Sequence, residues 1–272
     1  MITVGQKTYN GFVVDKNTGM GISYATIGLI KENKGVSANE QGAFSIHSSS
    51  NSLDSLRISS VGYETQILSL SEWKNGRIIQ LQETSTLLKD IIVTTNRSKH
   101  TLNKFNRCSW NSFQVGLEAI YQLAQRFEAP IEGMQLLELE LCKDPAESIF
   151  RLRIYDIDST TKGPGKDLAD TVIEVKSKES YVRIDMEKSY IIIPGKSYFV
   201  AIEWLFIPYN IEEQKVKRNG KKTIRIFYKP FIRWRNNDNT IPGFVWQLEF
   251  NGKWASRKYS QNYNFQISTT LR

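Results

Sequence analysis

The chain is short of the residues from which most enzyme chemistry is built. Among its 272 residues are two cysteines and two histidines. Cys108 and Cys142 do not make a disulfide-dense scaffold. An oxidising compartment would let them pair, and two separate buried thiols fit the sequence as well, because spacing alone does not bring two Cα atoms together. His47 sits near a strand end and His100 in a polar stretch. Neither has a Ser or Cys placed by a motif such as G-x-S-x-G. H-E-x-x-H, a P-loop and a Rossmann fingerprint are absent, which argues against the common hydrolytic, nucleotide-dependent and zinc-dependent chemistries. No apolar run approaches the roughly 18 residues that a membrane-spanning helix needs. The longest, 190–193 and 198–202, are strand-sized. The segment Met1-Ile2-Thr3-Val4-Gly5-Gln6 lacks the basic and apolar regions of a signal peptide.

What is present is an ordinary folded composition, 40% hydrophobic and 24% charged. The length suits two domains, each able to bury a core. The net charge of +8 is local. Residues 1–98 hold nine Lys/Arg against eight Asp/Glu, whereas 214–235 alone hold nine basic residues and no acid. That segment makes the second half basic.

Strand signals fill the first ninety residues. Apolar residues alternate over 8–14 and stop at the turn cluster Asp15-Lys16-Asn17-Thr18-Gly19. Strands are expected at 25–30, 35–37, 43–46, 56–61, 65–70 and 77–81, with Phe44 and Ile46 on one face. Asn75-Gly76 carries a two-residue hairpin signal. Short strands at this spacing argue a sandwich. Three motifs stand out: Thr18-Gly19 leading to Tyr24-Ala25-Thr26-Ile27, Asn39-Glu40-Gln41-Gly42-Ala43-Phe44-Ser45-Ile46, and Ser60-Val61-Gly62-Tyr63.

Together these residues resemble the carboxypeptidase-regulatory-like domain, a transthyretin-like β-sandwich common on exported and cell-surface proteins of the Bacteroidota. The resemblance implies an accessory module rather than a catalyst. It implies turn roles for Gly42 and Gly62, and Tyr63 packed at a sandwich edge. It brings no zinc site, because the metal ligands of the carboxypeptidases lie in another domain. It also implies an exported address, in the periplasm, outer membrane or cell surface, with the leader removed; a cytosolic protein is the alternative. The ending Leu81-Gln82-Glu83, then Leu87-Leu88-Lys89-Asp90-Ile91-Ile92-Val93-Thr94, is similar to the same domain in TonB-dependent receptors. Too few residues follow here for a receptor's plug and barrel, so a transporter is not expected. The expected division is 1–95 for this sandwich, 96–103 for a polar linker and 104–272 for a second domain.

The second half continues in strands, at 134–141, 150–157, 171–175, 181–184, 190–193, 198–204, 222–228 and 245–249. Asn219-Gly220 and Asn251-Gly252 signal hairpins. Segment 115–127 has a helical spacing of Leu117, Ile120, Tyr121 and Ala124, but its surroundings favour a strand. Phe150-Arg151-Leu152-Arg153-Ile154-Tyr155, Gly163-Pro164-Gly165-Lys166-Asp167-Leu168, Val182-Arg183-Ile184-Asp185 and Phe199-Val200-Ala201-Ile202-Glu203-Trp204 are similar to a jelly-roll-like β-sandwich of Bacteroidota surface proteins. That resemblance implies no catalytic residue. The fold class is therefore all-β, two β-sandwich domains, the second jelly-roll-like.

Candidate binding residues follow from chemistry. The basic stretch forms a hairpin with a charged tip, and Lys217, Arg218, Lys221 and Lys222 with Trp234 would grip an acidic glycan, lipopolysaccharide phosphate or, least of all, nucleic acid. The competing reading is an edge hairpin whose lysines block aggregation. Of the tryptophans, Trp204 faces a core by alternation, and Trp254, after the Asn251-Gly252 turn, is the one expected to be exposed as a sugar platform. Asp156, Asp158 and Asp167, with Asp170 and Glu174, form a carboxylate cluster of the kind that holds Ca²⁺, against the reading that they close turns. No other cofactor is implied. The function expected is a non-enzymatic envelope or surface module for adhesion or glycan binding. The alternatives are a structural module that binds another envelope protein, or a hydrolase using the acidic cluster.

Overall fold

Alternating apolar positions become strands throughout the computed structural model. It describes residues 7–49, 54–84, 98–116, 120–169, 171–218, 221–236, 245–257 and 263–272. The chain is all-β. Besides strands, the described residues hold only two single-turn 3-10 segments, Glu187–Ser189 and Pro208–Asn210.

The first seven strands are β1 Lys7–Asp15, β2 Thr26–Leu29, β3 Lys34–Ser37, β4 Ala43–Ser48, β5 Ser55–Ser59, β6 Gln66–Ser69 and β7 Arg77–Leu81. They form two sheets, ordered β4-β1-β7 and β3-β2-β5-β6. Both feed one hydrophobic cluster that includes Tyr9, Val13, Ile27, Leu29, Phe44, Ile46, Leu56, Ile58, Ile79 and Leu81. The period-2 pattern does this directly, because Tyr9 and Val13 point inward from β1 while Phe12 stays exposed. Each aliphatic or aromatic side chain so buried is worth about 1.5–3 kcal/mol. The turn after β1 is closed by Asp15, whose Oδ1 accepts hydrogen bonds from the amides of Asn17 (2.9 Å) and Thr18 (2.6 Å) and from the Thr18 hydroxyl (2.8 Å). Gly42 and Gly62 both take φ of +78°, and Tyr63 packs half-buried against this core.

One turn departs from expectation. Asn75-Gly76 does not join a hairpin, because β6 pairs with β5 while β7 runs parallel to β1. The Gly76 amide donates to Asn10 Oδ1 (2.8 Å), and the Asn75 side chain accepts from the Asn10 amide (3.3 Å). The turn thus docks onto β1 at a crossover between sheets.

Sixteen further strands follow: β8 His100–Leu102, β9 Ser112–Gly116, β10 Ile120–Glu128, β11 Met134–Cys142, β12 Ser148–Ile157, β13 Pro164–Asp167, β14 Ile173–Ser177, β15 Tyr181–Asp185, β16 Ile192–Ile193, β17 Ser197–Trp204, β18 Ile211–Arg218, β19 Lys221–Asn236, β20 Val245–Glu249, β21 Trp254–Arg257, β22 Tyr263–Phe265 and β23 Ile267–Leu271. The largest sheet runs β13-β12-β17-β10-β20-β21, with β14 also on β12. A second runs β15-β11-β23-β8, and a third runs β18-β19-β22 with β9 on β19. Leu123, Leu139, Phe150, Leu152, Val200, Ile202, Trp204 and Phe265 belong to a second, larger core. Of segment 115–127, residues 120–127 lie in strand β10, as its surroundings favoured, 115–116 end β9 in another sheet, and 117–119 lie outside the described residues; Trp204 is core. Within the stretch read as a linker, residues 100–102 form β8 and pair with the last strand.

Cys108 and Cys142 are joined in a disulfide, their Cα atoms 5.5 Å apart. The reading as two separate thiols is thus overturned. The loop that carries Cys108 is brought against β11, which carries Cys142, by the packing of the sheets, which spacing could not reveal.

The two cores meet at a close joint. A Cβ built on Gly28 would lie 2.5 Å from the Phe250 carbonyl oxygen, and one built on Gly35 would lie 2.3 Å from the Phe250 ring. These glycines are partners across β2 and β3 and leave a flat pad on which Phe250, itself fully buried, rests. The Phe206 amide donates to Ser37 Oγ at 2.9 Å, and Asn33 Nδ2 donates to Glu249 Oε2 at 3.1 Å. Arg151 Nη2 donates to the Ser23 carbonyl at 2.9 Å, with its guanidinium 5.4 Å from the Tyr24 ring centre.

Candidate functional site

The basic hairpin is formed by β18 and β19, paired from Ile211↔Tyr228 out to Arg218↔Lys221. Residues 222–225 are all exposed, so both faces of the outer hairpin meet solvent. Lys217 and Lys222 are cross-strand partners. Like charges so placed repel, and full exposure lets water absorb the cost. By alternation Lys215 and Lys217 lie on the face of Ile211, which they share with their cross-strand partners Ile224, Lys222 and Tyr228. The turn residues Asn219 and Gly220, and the side chains of Arg218 and Lys221, lie outside the described residues.

The other tryptophans named from sequence are elsewhere. Trp234 sits at the far end of β19, opposite Phe265 and packed on the second core. Trp254 is half-buried rather than exposed, its ring centre 5.5 Å from that of Tyr155. The turn before it is itself half-buried at the joint, where Gly252 packs against the Arg57 side chain and the Asn251 amide donates to Asn33 Oδ1 (3.3 Å). The six candidates therefore divide among a hairpin tip, a core and the joint.

The carboxylates separate as well. Asp158 Oδ1 accepts from the amides of Thr160 (3.1 Å) and Thr161 (2.6 Å) and from the Thr161 hydroxyl (2.8 Å). Those bonds hold its carboxyl below the ordinary range. Asp156 accepts from the Lys166 amide at 2.5 Å, and Asp167 is paired with Arg153. Asp170 lies outside the described residues. No group of three His, Cys, Asp or Glu able to hold a metal ion exists among the described residues. Of the described carboxylates, Asp158 closes a turn, Asp156 takes a backbone amide and Asp167 faces a guanidinium, as the turn reading has it for the first two.

Among the described residues, two cavities lie where the two cores meet. The larger, about 710 Å³, is a cleft lined by Tyr24, Phe44, Phe206, Tyr209, Ile211 and Tyr228, with Glu40, Asn39 and Lys176 among its polar groups. Lys176 Nζ sits 5.2 Å from the Tyr209 ring centre. Burial and a hydrogen bond to Glu40 push the Tyr24 hydroxyl up to about 12, and burial raises Tyr228 too. Both therefore stay neutral donors. Ile211 and Tyr228 root the hairpin, so its lysine face rises from the rim of this cleft.

The smaller cavity, about 220 Å³, is polar. One wall comes from the first core: Thr26, Arg57, Ser59, Ser60 and Thr65. The other comes from the second: Tyr121, Gln122, Arg153, Tyr155, Glu203 and Trp254. Arg57 Nη1 donates to Ser59 Oγ (2.8 Å) and to the Tyr121 hydroxyl (3.2 Å). Opposite, Glu203 Oε2 accepts from Gln122 Nε2 (3.0 Å) and Arg153 Nη1 (3.1 Å), and the Tyr155 hydroxyl donates to Gln122 Oε1 (2.7 Å). Burial works against the charge on Arg153, but Tyr155, Glu203 and Asp167 outweigh it, so the guanidinium stays charged. Burial lifts the hydroxyls of Tyr121 and Tyr155, keeping both neutral.

Reading the sequence missed this cavity. Arg57, Gln122 and Glu203 are polar residues in strands, and alternation assigns such residues to solvent. Trp110, 94% exposed in the loop before β9, was also missed, since its neighbours Ser109 and Asn111 carry no signal.

Residues 9–93 match the family model described as the CarboxypepD_reg-like domain. No curated protein shows a significant match. Among solved structures the chain is similar to a clostridial cysteine protease, Cwp84, after propeptide cleavage, with 11% identity, TM-score 0.41, and coverage of 82% of this chain and 52% of that one. It is similar to the cysteine protease and lectin-like domains of Cwp84, a surface layer associated protein of Clostridium difficile, with 12% identity, TM-score 0.37, and coverage of 88% and 45%. It is also similar to the major pilin subunit of Bacillus cereus, with 9% identity, TM-score 0.23, and coverage of 96% and 70%. The chain thus spans about half the length of the Cwp84 chains. Likenesses this distant assign it neither an activity nor a ligand.

Proposed function

We propose, from the premise that residues 9–93 form a CarboxypepD_reg-like domain, that this chain is a non-catalytic binding module of an exported envelope or surface protein. Its ligand is a glycan laid in the cleft between the two cores. The division into 1–95, 96–103 and 104–272 is part of the same proposal. The Cys108–Cys142 disulfide supports the exported address, since such bonds persist in oxidising compartments. The observation that carries the binding reading is the aromatic lining of the 710 Å³ cleft. A wide, mostly apolar cavity with a few convergent polar groups is the usual shape of a ligand site. Tyrosines suit a sugar, because the ring packs on its C–H face while the hydroxyl bonds its edge. The lysines on the adjoining hairpin face favour an acidic chain.

A glycan array probed with the full chain tests this. Binding that falls at least tenfold in Tyr209→Ala would support the cleft as the site. Tyr209 is 42% exposed, so its removal spares the cores.

A second reading has its own observation: β18 is an edge strand, exposed at Lys217, and its partner β19 is exposed over 222–225. An extended segment of another envelope protein would pair along it. Absence of glycan binding, with a specific partner recovered from envelope extract by the full chain but not by a β18 Pro variant, would favour that reading.

A further inference from the structure

The polar pocket at the joint has a composition that an internal water space does not require. Arg57 makes no ion pair among the described residues; the hydrogen bonds it donates go to two hydroxyls, on Ser59 and Tyr121. It is half-buried, so its charge is only partly met by solvent. Across the cavity, Glu203 is 3% exposed and Gln122 likewise 3%. Each is held in place by neighbours: Glu203 by Arg153 and Gln122, Gln122 by the Tyr155 hydroxyl. Locked, planar polar side chains of this kind give directional hydrogen bonds with little entropy left to lose. Trp254 and Tyr155 add an aromatic edge. The volume, about 220 Å³, is below that of a drug-sized site and suits one small polar molecule.

We infer that this pocket binds a single acidic sugar residue, its carboxylate on Arg57 and its hydroxyls on Glu203, Gln122 and Ser59, with Trp254 against the ring. A guanidinium with neutral partners fits a carboxylate bidentately. A row of fixed acceptors and donors fits vicinal hydroxyls better than a bare anion. The site exists only where both cores meet, since Arg57 and Glu203 come from different ones. A bound sugar therefore clamps the joint. The inference rests on the carbohydrate reading of the chain but uses a different cavity from the cleft.

The test is an NMR titration of the full chain with glucuronate, glucose and acetate, following the Trp254 indole N–H, beside the thermal midpoint with each probe. The expected result is saturable binding of glucuronate with a shift of that indole signal and a raised midpoint. Glucose and acetate should each bind at least tenfold more weakly. Arg57→Gln, which removes the guanidinium but keeps a polar amide, should lower glucuronate affinity at least tenfold, and Tyr209→Ala should leave it unchanged. Equal binding of acetate and glucuronate would overturn the sugar assignment. Absence of binding, or binding indifferent to Arg57→Gln in a variant with an unchanged midpoint, would overturn the site. If Arg57→Gln lowers the midpoint, Trp254→Phe serves instead, and a glucuronate affinity it leaves intact overturns the site equally. Array binding lost in Tyr209→Ala would still stand for the cleft in those cases, so the two readings fail separately.

Discussion

Asp15 in the first part of the chain and Asp158 in the second close the same turn. Each carboxylate accepts from the amides two and three residues on and from the threonine hydroxyl at the third. The sheets that carry these turns are used differently. In the first, alternation separates an apolar core face from a solvent face, as along β1. In the second, β12 buries both faces: Phe150, Leu152 and Ile154 point into the core, while Arg151 on the other side is only 4% exposed. Arg151, Glu203 and Gln122 form one cross-strand row over β12, β17 and β10. That row lies under the first core. A charged row buried on the nominal solvent face thus marks where a sheet receives a second body.

The contrast can be broken at Arg151. Arg151→Ala should cost about 3–5 kcal/mol in urea unfolding, because truncating one member of a buried charge network strands the rest. Its neighbours Glu203 and Glu174 lie 4.0 and 3.7 Å away. A comparable loss from an exposed arginine such as Arg183 would erase the distinction between the faces. Removing the Cys108–Cys142 disulfide by a double Ser substitution should cost roughly 3–4 kcal/mol for a loop of this length. Only the second core should melt earlier, as Trp73 fluorescence in the first would report. Gly35→Val should cost about 1–3 kcal/mol through overpacking against Phe250. It should also speed proteolysis between the two cores, whereas Gly19→Ala, with open space around it, tests backbone strain alone. The smallest effect belongs to pH. The Thr18 amide and hydroxyl hold the Asp15 carboxyl below its ordinary value. The stability it lends is therefore present above the ordinary carboxylate range and lost as pH falls through the depressed value. Asp15→Asn should be less stable than the parent at neutral pH and equal to it in strong acid, by circular dichroism.

Much of the fold was legible in the chain. Strands such as β1 and β4 follow from period-2 burial, and Asn251-Gly252 closes the β20–β21 hairpin, with Gly252 at φ +85°. The Asp15 turn follows from the residue types alone. Asn75-Gly76 misled because a turn signal is local, while the strand a segment pairs with is chosen by the sheet that has room. Trp254 misled for the same reason: a turn signal in sequence suggests solvent, but this turn and the indole pack at the joint, the ring beside Tyr155. The lysines of the hairpin were legible as charge, and their place beside an aromatic cleft was not.

The sequence by itself determined that this protein is made of strands, where many of them lie, and that Asp15 and Asn251-Gly252 close turns. Those features depend on residues a few positions apart. Tertiary structure alone decided that Cys108 meets Cys142, that Gly28 and Gly35 receive Phe250, and that Arg57 faces Glu203. Each of those pairings joins residues far apart in the chain, whose approach is set by how whole sheets pack.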